Sequence, residues 1–193
     1  MQLIRPKHST RPRVSRPTVS RRPALALALA TAALLSLAAV GCGGDGPTGP
    51  GLGSGNVTAT GAVTASGTGL ALFQSVVSGS TNLFQIVIVP VTQNANAWTV
   101  QIANYSGRLA AGTYTLSPLS ASSTNPTATF YYTSSGAAQS FNSTSGQLVI
   151  TSSSSSQVRG TFTFSATDIA GGPGTVSAHG SFSAQCAPGI GCQ

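Results

Sequence analysis

Between Val158 and Thr167 every second residue is apolar or glycine, and every residue in between carries a hydroxyl or a charge. Val158, Gly160, Phe162, Phe164 and Ala166 fall on one side; Arg159, Thr161, Thr163, Ser165 and Thr167 fall on the other. A period of two sends successive side chains to opposite faces of a sheet, so the segment must be a strand with one dry face. Residues 176–184 repeat the pattern, with Val176, Ala178, Gly180, Phe182 and Ala184 set against Ser177, His179, Ser181 and Ser183. The stretch 168–174 between them is rich in turn-forming residues. The two dry faces coincide only if paired residue numbers sum to an even value, because a slip of one turns every side chain over. A sum of 344, which sets Phe162 opposite Phe182 and Phe164 opposite Gly180, is the predicted hairpin.

Further strands are predicted near 57–65, 70–77, 83–91, 97–104, 112–117, 127–133 and 146–152. Trp98, Val100 and Ile102 share a face, as do Phe84, Ile86 and Ile88. The serine run 152–156 is read as a hairpin tip, because strong strands flank it. Ser and Thr occupy 42 of the 137 positions in 57–193, a composition that favours strands and turns, and no stretch after Cys42 has helical spacing. The expected fold is therefore one all-β domain over 57–193, an antiparallel β-sandwich or barrel of about eight to nine strands. The choice between sandwich and barrel stays open at this level.

The charge is distributed unevenly. Of the nine Lys and Arg, seven precede residue 23; from Cys42 onward Arg108 and Arg159 balance Asp45 and Asp168. A domain with no basic surface releases no phosphate counterions, which excludes nucleic acid as a partner. The basic leader is followed by an uncharged apolar run, 24–40, and then by Gly41-Cys42. A basic segment, an apolar segment and small residues at its end describe an export signal, here a signal helix over 1–41 that is removed. Residues 42–56 follow as the lipidated cysteine and a flexible tether, because half of 43–56 is glycine and two more residues are proline.

Ala39-Val40-Gly41-Cys42 resembles the lipobox of bacterial lipoproteins. The resemblance implies cleavage between Gly41 and Cys42, diacylation of Cys42 and anchoring in a lipid bilayer, with Ala39 standing where leucine is usual. Each buried CH₂ of the acyl chains contributes about 0.8 kcal/mol to the anchoring. Gly43 stands where enteric lipoproteins carry the aspartate that retains them at the inner membrane, so the implied location is the outer membrane of a diderm envelope. Assigning Cys42 to lipid leaves Cys186 and Cys192 as an even pair in an oxidising compartment, which reads as a disulfide pinning the C-terminal segment. Zinc sites want four ligands, so a metal at this pair is the lesser alternative.

Gly112-Thr-Tyr114-Thr-Leu116, Gly146-Gln-Leu148-Val-Ile150-Thr151, Gly160-Thr-Phe162-Thr-Phe164-Ser-Ala166 and Gly180-Ser-Phe182 resemble an uncharacterised bacterial lipoprotein domain family, domain of unknown function 6252. The resemblance spans residues 57–184. It implies an all-β fold and an envelope location, and it brings no catalytic residue with it.

The exported domain holds one histidine, His179, and one acid, Asp168. A single acid rules out the paired carboxylates of glycoside hydrolysis and starves a calcium site. In the predicted hairpin His179 lies beside Ser165 while Asp168 has the opposite parity, which opposes a Ser-His-Asp triad. The glycine-rich stretches lack the lysine and helix of a phosphate loop. The three glycosylation sequons, at Asn56, Asn104 and Asn142, are read as chance. The expectation is a non-enzyme without metal or cofactor, acting as a membrane-anchored binding or interaction module. Aromatic faces supply its candidate contacts, Trp98, Tyr105 and Tyr131, with a glycan, a small apolar ligand or an envelope protein as the open choices of partner. A passive structural envelope component is the alternative reading, and a hydrolase the remote one. Uncharged strand edges leave self-association open as well, unless the sheet closes on itself.

Overall fold

The computed structural model describes residues 52–79, 81–91, 96–119, 124–187 and 192. The signal segment, Gly41 and Cys42 lie outside the described residues. Nine strands form: β1 Ser54–Gly61, β2 Ala65–Ser78, β3 Thr81–Pro90, β4 Asn96–Asn104, β5 Gly112–Thr115, β6 Thr127–Ser134, β7 Ala137–Ser153, β8 Gln157–Asp168 and β9 Thr175–Cys186. The strand order β7-β6-β4-β3-β2-β1-β9-β8 returns to β7, so eight strands close an antiparallel barrel. Barrel, not sandwich, is the outcome of the choice that alternation left open. Eight strands enclose an interior just wide enough to be filled by side chains.

The interior is filled. Phe84, Ile86, Ile88, Val100 and Phe130 have no exposed surface at all, and Phe73, Phe141, Leu148 and Ile150 have almost none. Each such side chain contributes about 1.5–3 kcal/mol by leaving water. Outward positions of β8 are instead Arg159, Thr161, Thr163, Ser165 and Thr167, all exposed. Apolar inside and polar outside is the reverse of a lipid-embedded barrel.

Each predicted strand is present, with differences that have physical causes. β1 begins at Ser54, so residues 54–56, expected in the tether, already belong to the barrel. There Gly53 passes between β2 and β9, where a Cβ would collide with the Ala71 carbonyl oxygen. β7 extends back to Ala137, nine residues before the predicted start. Its first half pairs with β6 and its second half with β5, while β8 runs along the other edge. Ser143 covers the break between β6 and β5: its hydroxyl accepts from Ala128 N at 3.0 Å and donates to Ser117 O at 2.7 Å.

The β8–β9 hairpin forms with the predicted parity but with paired numbers summing to 342, not 344. Phe162 faces Gly180 and Phe182 faces Gly160, so each ring lies over a glycine of the opposite strand. Setting the two rings directly opposite would have wasted both spaces. The serine run is the predicted hairpin tip: Ser154 Oγ accepts from Gln157 N at 3.1 Å, and Ser154 N donates to Gln157 O at 2.8 Å.

Cys186 and Cys192 are bonded as expected. Both pack against the core, and Cys192 forms an isolated bridge with Ser75 of β2. Ala187 N donates to Phe73 O at 2.9 Å, tying the segment after β9 to β2.

Candidate functional site

Residues on β4 alternate between the core and the outer surface. Trp98, Val100 and Ile102 point inward; Thr99, Gln101 and Ala103 point outward, and Tyr105 follows the end of the strand in the same phase. On β6 the outward set is Thr127, Thr129 and Tyr131, paired with Ala103, Gln101 and Thr99 in that order. Tyr105 and Tyr131 therefore sit at opposite ends of one outer two-strand surface, six residues of β4 apart in register, or roughly 20 Å between backbones. Burial, and to a lesser degree the charge of an ionised Tyr131, raises the pKa of Tyr105. The small Ala103 between them is itself buried, 4% exposed.

Both phenols are partly buried, and this burial is the main cause that pushes each pKa above the ordinary tyrosine value. The Thr129 hydroxyl works the other way on Tyr131. A raised folded-state pKa means that the unfolded chain loses its phenolic proton first. Stability is thus fully present below the ordinary value of about 10 and falls as pH rises from there through the folded-state values. Urea melts from about pH 9 to about pH 11 should show this decline, and Tyr105→Phe/Tyr131→Phe should flatten it. An undiminished decline in the double variant would place its source elsewhere.

The polar side chains around the tyrosines are uncharged. Thr99 pairs with Tyr131 and Gln101 with Thr129, whose Oγ1 donates to Asn142 Oδ1 of β7 at 3.0 Å. Trp98 belongs to a different place: it is 4% exposed, on the inner side of β4, with its ring 3.2 Å from where a Cβ of Gly69 would stand. The expectation that Trp98 meets a ligand beside the tyrosines is corrected by its parity. It shares the face of Val100 and Ile102, where the interior has room for its indole over Gly67 and Gly69.

No protein-family model, curated protein or solved structure matches this chain. The chemistry has to be read from its own residues. His179 is exposed on β9 and pairs with Thr163 and Thr58, not with the neighbourhood of Ser165 expected from the other register. Asp168 closes β8, five residues beyond Thr163 or roughly 16 Å along the strand, and its Oδ1 accepts from Ala170 N at 2.8 Å. The structure does not bring the two together. Among the described residues no group of three His, Cys, Asp or Glu gathers to hold a metal.

Sequence reasoning passed over Arg108. Its guanidinium stacks on the Phe73 ring at 5.4 Å, Nε donates to Ser153 Oγ at 3.1 Å and Nη1 donates to Cys192 O at 3.3 Å. Burial lowers its pKa, and Nη2 is buried with no hydrogen-bond partner. The residue joins β2, the end of β7 and the disulfide segment, with no acidic partner among the described residues. A second buried polar contact, Gln74 Nε2 to Gln85 Oε1 at 2.7 Å, crosses β2 and β3. Neither was legible beforehand, because their partners are distant in sequence or indistinguishable from surface glutamines.

Proposed function

We propose that the protein is a lipid-anchored bacterial envelope lipoprotein whose barrel is a non-catalytic binding module working through the Tyr105–Tyr131 surface. One observation carries the binding assignment. Ten of the twelve aromatic side chains of the domain lie in the core or pack against it: seven Phe, Trp98, Tyr114 and Tyr132. Tyr105 and Tyr131 are the two that do not: Tyr131 stands on the outer side of β6 and Tyr105 just past the end of β4, both half-buried. Aromatic groups with a polar tip, held half-buried, give contact area at little further entropy cost on binding.

The anchor rests on the lipobox-like Ala39-Val40-Gly41-Cys42 and the apolar run before it, and the outer membrane is the location it implies. The alternatives have less support. A passive envelope component relying on edge pairing finds few edges in a closed barrel, where β5 alone among the described strands has a ladder partner on one side only. A hydrolase built on His179 and Asp168 would have to bridge the separation along β8.

Bacteria expressing the chain and fed an alkyne-tagged fatty acid test the anchor. Wild type should be labelled and sediment with membranes, whereas Cys42→Ser should be unlabelled and fail to sediment. A labelled Cys42→Ser protein would overturn the assignment of the anchor. Tyr105→Ala/Tyr131→Ala should keep the label and the membrane location while losing retention on isolated envelope material.

A further inference from the structure

We propose that the outer wall formed by β2 and β3 rests on the bilayer that holds the Cys42 anchor, so that the barrel lies on its side against the membrane. This rests on the lipid-anchored reading and adds a second, non-covalent contact to it.

The sequence of β3 carries the first sign. Leu83-Phe84-Gln85-Ile86-Val87-Ile88-Val89 does not alternate, and a strand that is apolar in both phases is one that is covered on both faces. Phe84, Ile86 and Ile88 fill the barrel interior. The other phase faces outward and pairs with β2 as Leu70–Val89, Leu72–Val87, Gln74–Gln85 and Val76–Leu83, so that three of the four outward pairs are aliphatic. The β8–β9 wall shows what the same barrel presents to water. Its outward pairs are Arg159–Ser183, Thr161–Ser181, Thr163–His179, Ser165–Ser177 and Thr167–Thr175, with no aliphatic side chain among them. Val77 and Val91, at opposite ends of the β2–β3 wall, are exposed.

The polar content of the wall fits the same partner. Gln74 Nε2 donates to Gln85 Oε1 at 2.7 Å, so the one outward pair that is not aliphatic is bonded within itself. The register carries that row on through Ala103 of β4 to Thr127 of β6. All four residues are buried although they point outward, so lipid laid over the row removes little further water from it. β2, β3, β4 and β6 hold no charged residue, and no ion has to be desolvated on contact. Tyr105 and Tyr131, half-buried on the adjoining β4–β6 surface, have the apolar body and polar tip that suit the headgroup level of a bilayer.

The chain itself selects a bilayer over a second copy of the barrel. Cys42 precedes Ser54 by twelve residues, and Ser54 pairs with Leu70 at the border of the wall. A glycine-rich tether of that length spans roughly 20 Å on average, which holds the wall within reach of the membrane at all times. Shape argues the same way. The outside of a closed barrel is convex, and two rigid convex walls meet along a narrow strip, short of the ~800 Å² per partner of a stable protein interface. A fluid bilayer moulds to a convex surface, and its attraction grows with the apolar area covered.

The test places the full lipidated chain in phosphatidylcholine vesicles, with a fluorophore on the thiol of Leu72→Cys, Val87→Cys or Thr163→Cys in turn. Phosphatidylcholine spin-labelled on its acyl chain is the quencher. Each labelled protein is first required to melt as wild type does, and two wall positions are used so that one poorly folding variant leaves the other. Quenching at 72 and at 87 should exceed that at 163 by about threefold or more. Adding phosphatidylglycerol should leave it unchanged, because the wall is uncharged. Quenching at 72 and 87 no greater than at 163, or quenching that requires the anionic lipid, overturns the side-on contact; an acylated Cys42 in the intact mass then shows that the anchor survives it. Fluorophores at 72 and 87 shielded by cross-linkable copies of the chain, and not by lipid, put a second barrel on the wall and overturn it as well. A chain whose Cys42 carries no acyl group and that leaves the vesicles overturns the anchor and this contact together.

Discussion

Phe84→Ala is expected to destabilise the barrel by about 4 kcal/mol, within the ~3–5 kcal/mol range for removing a buried phenylalanine. Phe84 has no exposed surface and lies on β3, between Ser75 of β2 and Asn104 of β4. Its ring meets that of Phe73 at 6.1 Å between centroids, and Arg108 stacks on Phe73 in turn. Removing Phe84 therefore opens a cavity and loosens the support of the Arg108 guanidinium. A sheet closed into a barrel has little freedom to collapse around such a gap, because moving one strand disturbs the pairing on both of its edges. At ~2–4 °C per kcal/mol for a domain of this size, the midpoint should fall by about 8–16 °C. Scanning calorimetry reads it directly; a fall of under ~3 °C would mean that the interior is not packed as described.

The second large effect is Gly180→Val, where strand propensity and local geometry predict opposite signs. Valine is among the best strand residues and glycine among the worst, so propensity alone predicts stabilisation. In the barrel, a Cβ at Gly180 would collide with the backbone carbonyl oxygen of Asn56 and lie 2.8 Å from Phe162 Cζ. Asn56 cannot simply retreat. Its Nδ2 donates to Ser181 Oγ at 2.8 Å and its Oδ1 accepts from Ser181 N at 3.0 Å, locking β1 to β9 at this row. The substitution should cost about 3 kcal/mol, the upper end of the usual range for overpacking. Chemical denaturation would show a lower midpoint with an unchanged slope. A midpoint equal to or above wild type would mean that propensity outweighs the contact.

The alternation of Val158–Thr167 and of residues 176–184 made two strands legible, and it fixed the parity of their pairing. It could not fix the register, because a shift of two preserves every face. Glycine decided that: Gly160 and Gly180 are the two inward positions with space for a ring. Tyr131 was legible by the same parity, standing between the inward Phe130 and Tyr132. Trp98 carried the equivalent signal, sharing its phase with Val100 and Ile102, and its place in the core follows from it. The front half of β7 was not legible. Ala137, Ala138 and Gln139 are all exposed, so no alternation marks them as strand. Arg108 and Ser143 were invisible for another reason. Their roles exist only through partners such as Phe73, Ser153 and Ala128, which no local pattern connects to them.

The placement of β1 between β2 and β9 has a consequence for the time in which the barrel assembles. Asn56 of β1 bonds Ser181 of β9 across 125 residues. Pairings of such separation give high contact order and slow folding, in the millisecond-to-second range for β barrels of this kind. During synthesis at about 5–20 residues per second, the edge of β1 that faces β9 waits roughly 6–25 s for its partner to be made. The barrel has no protecting charge on that edge while it waits. How promptly β9 arrives, more than how well the finished core is packed, governs how long the growing chain is open to mispairing.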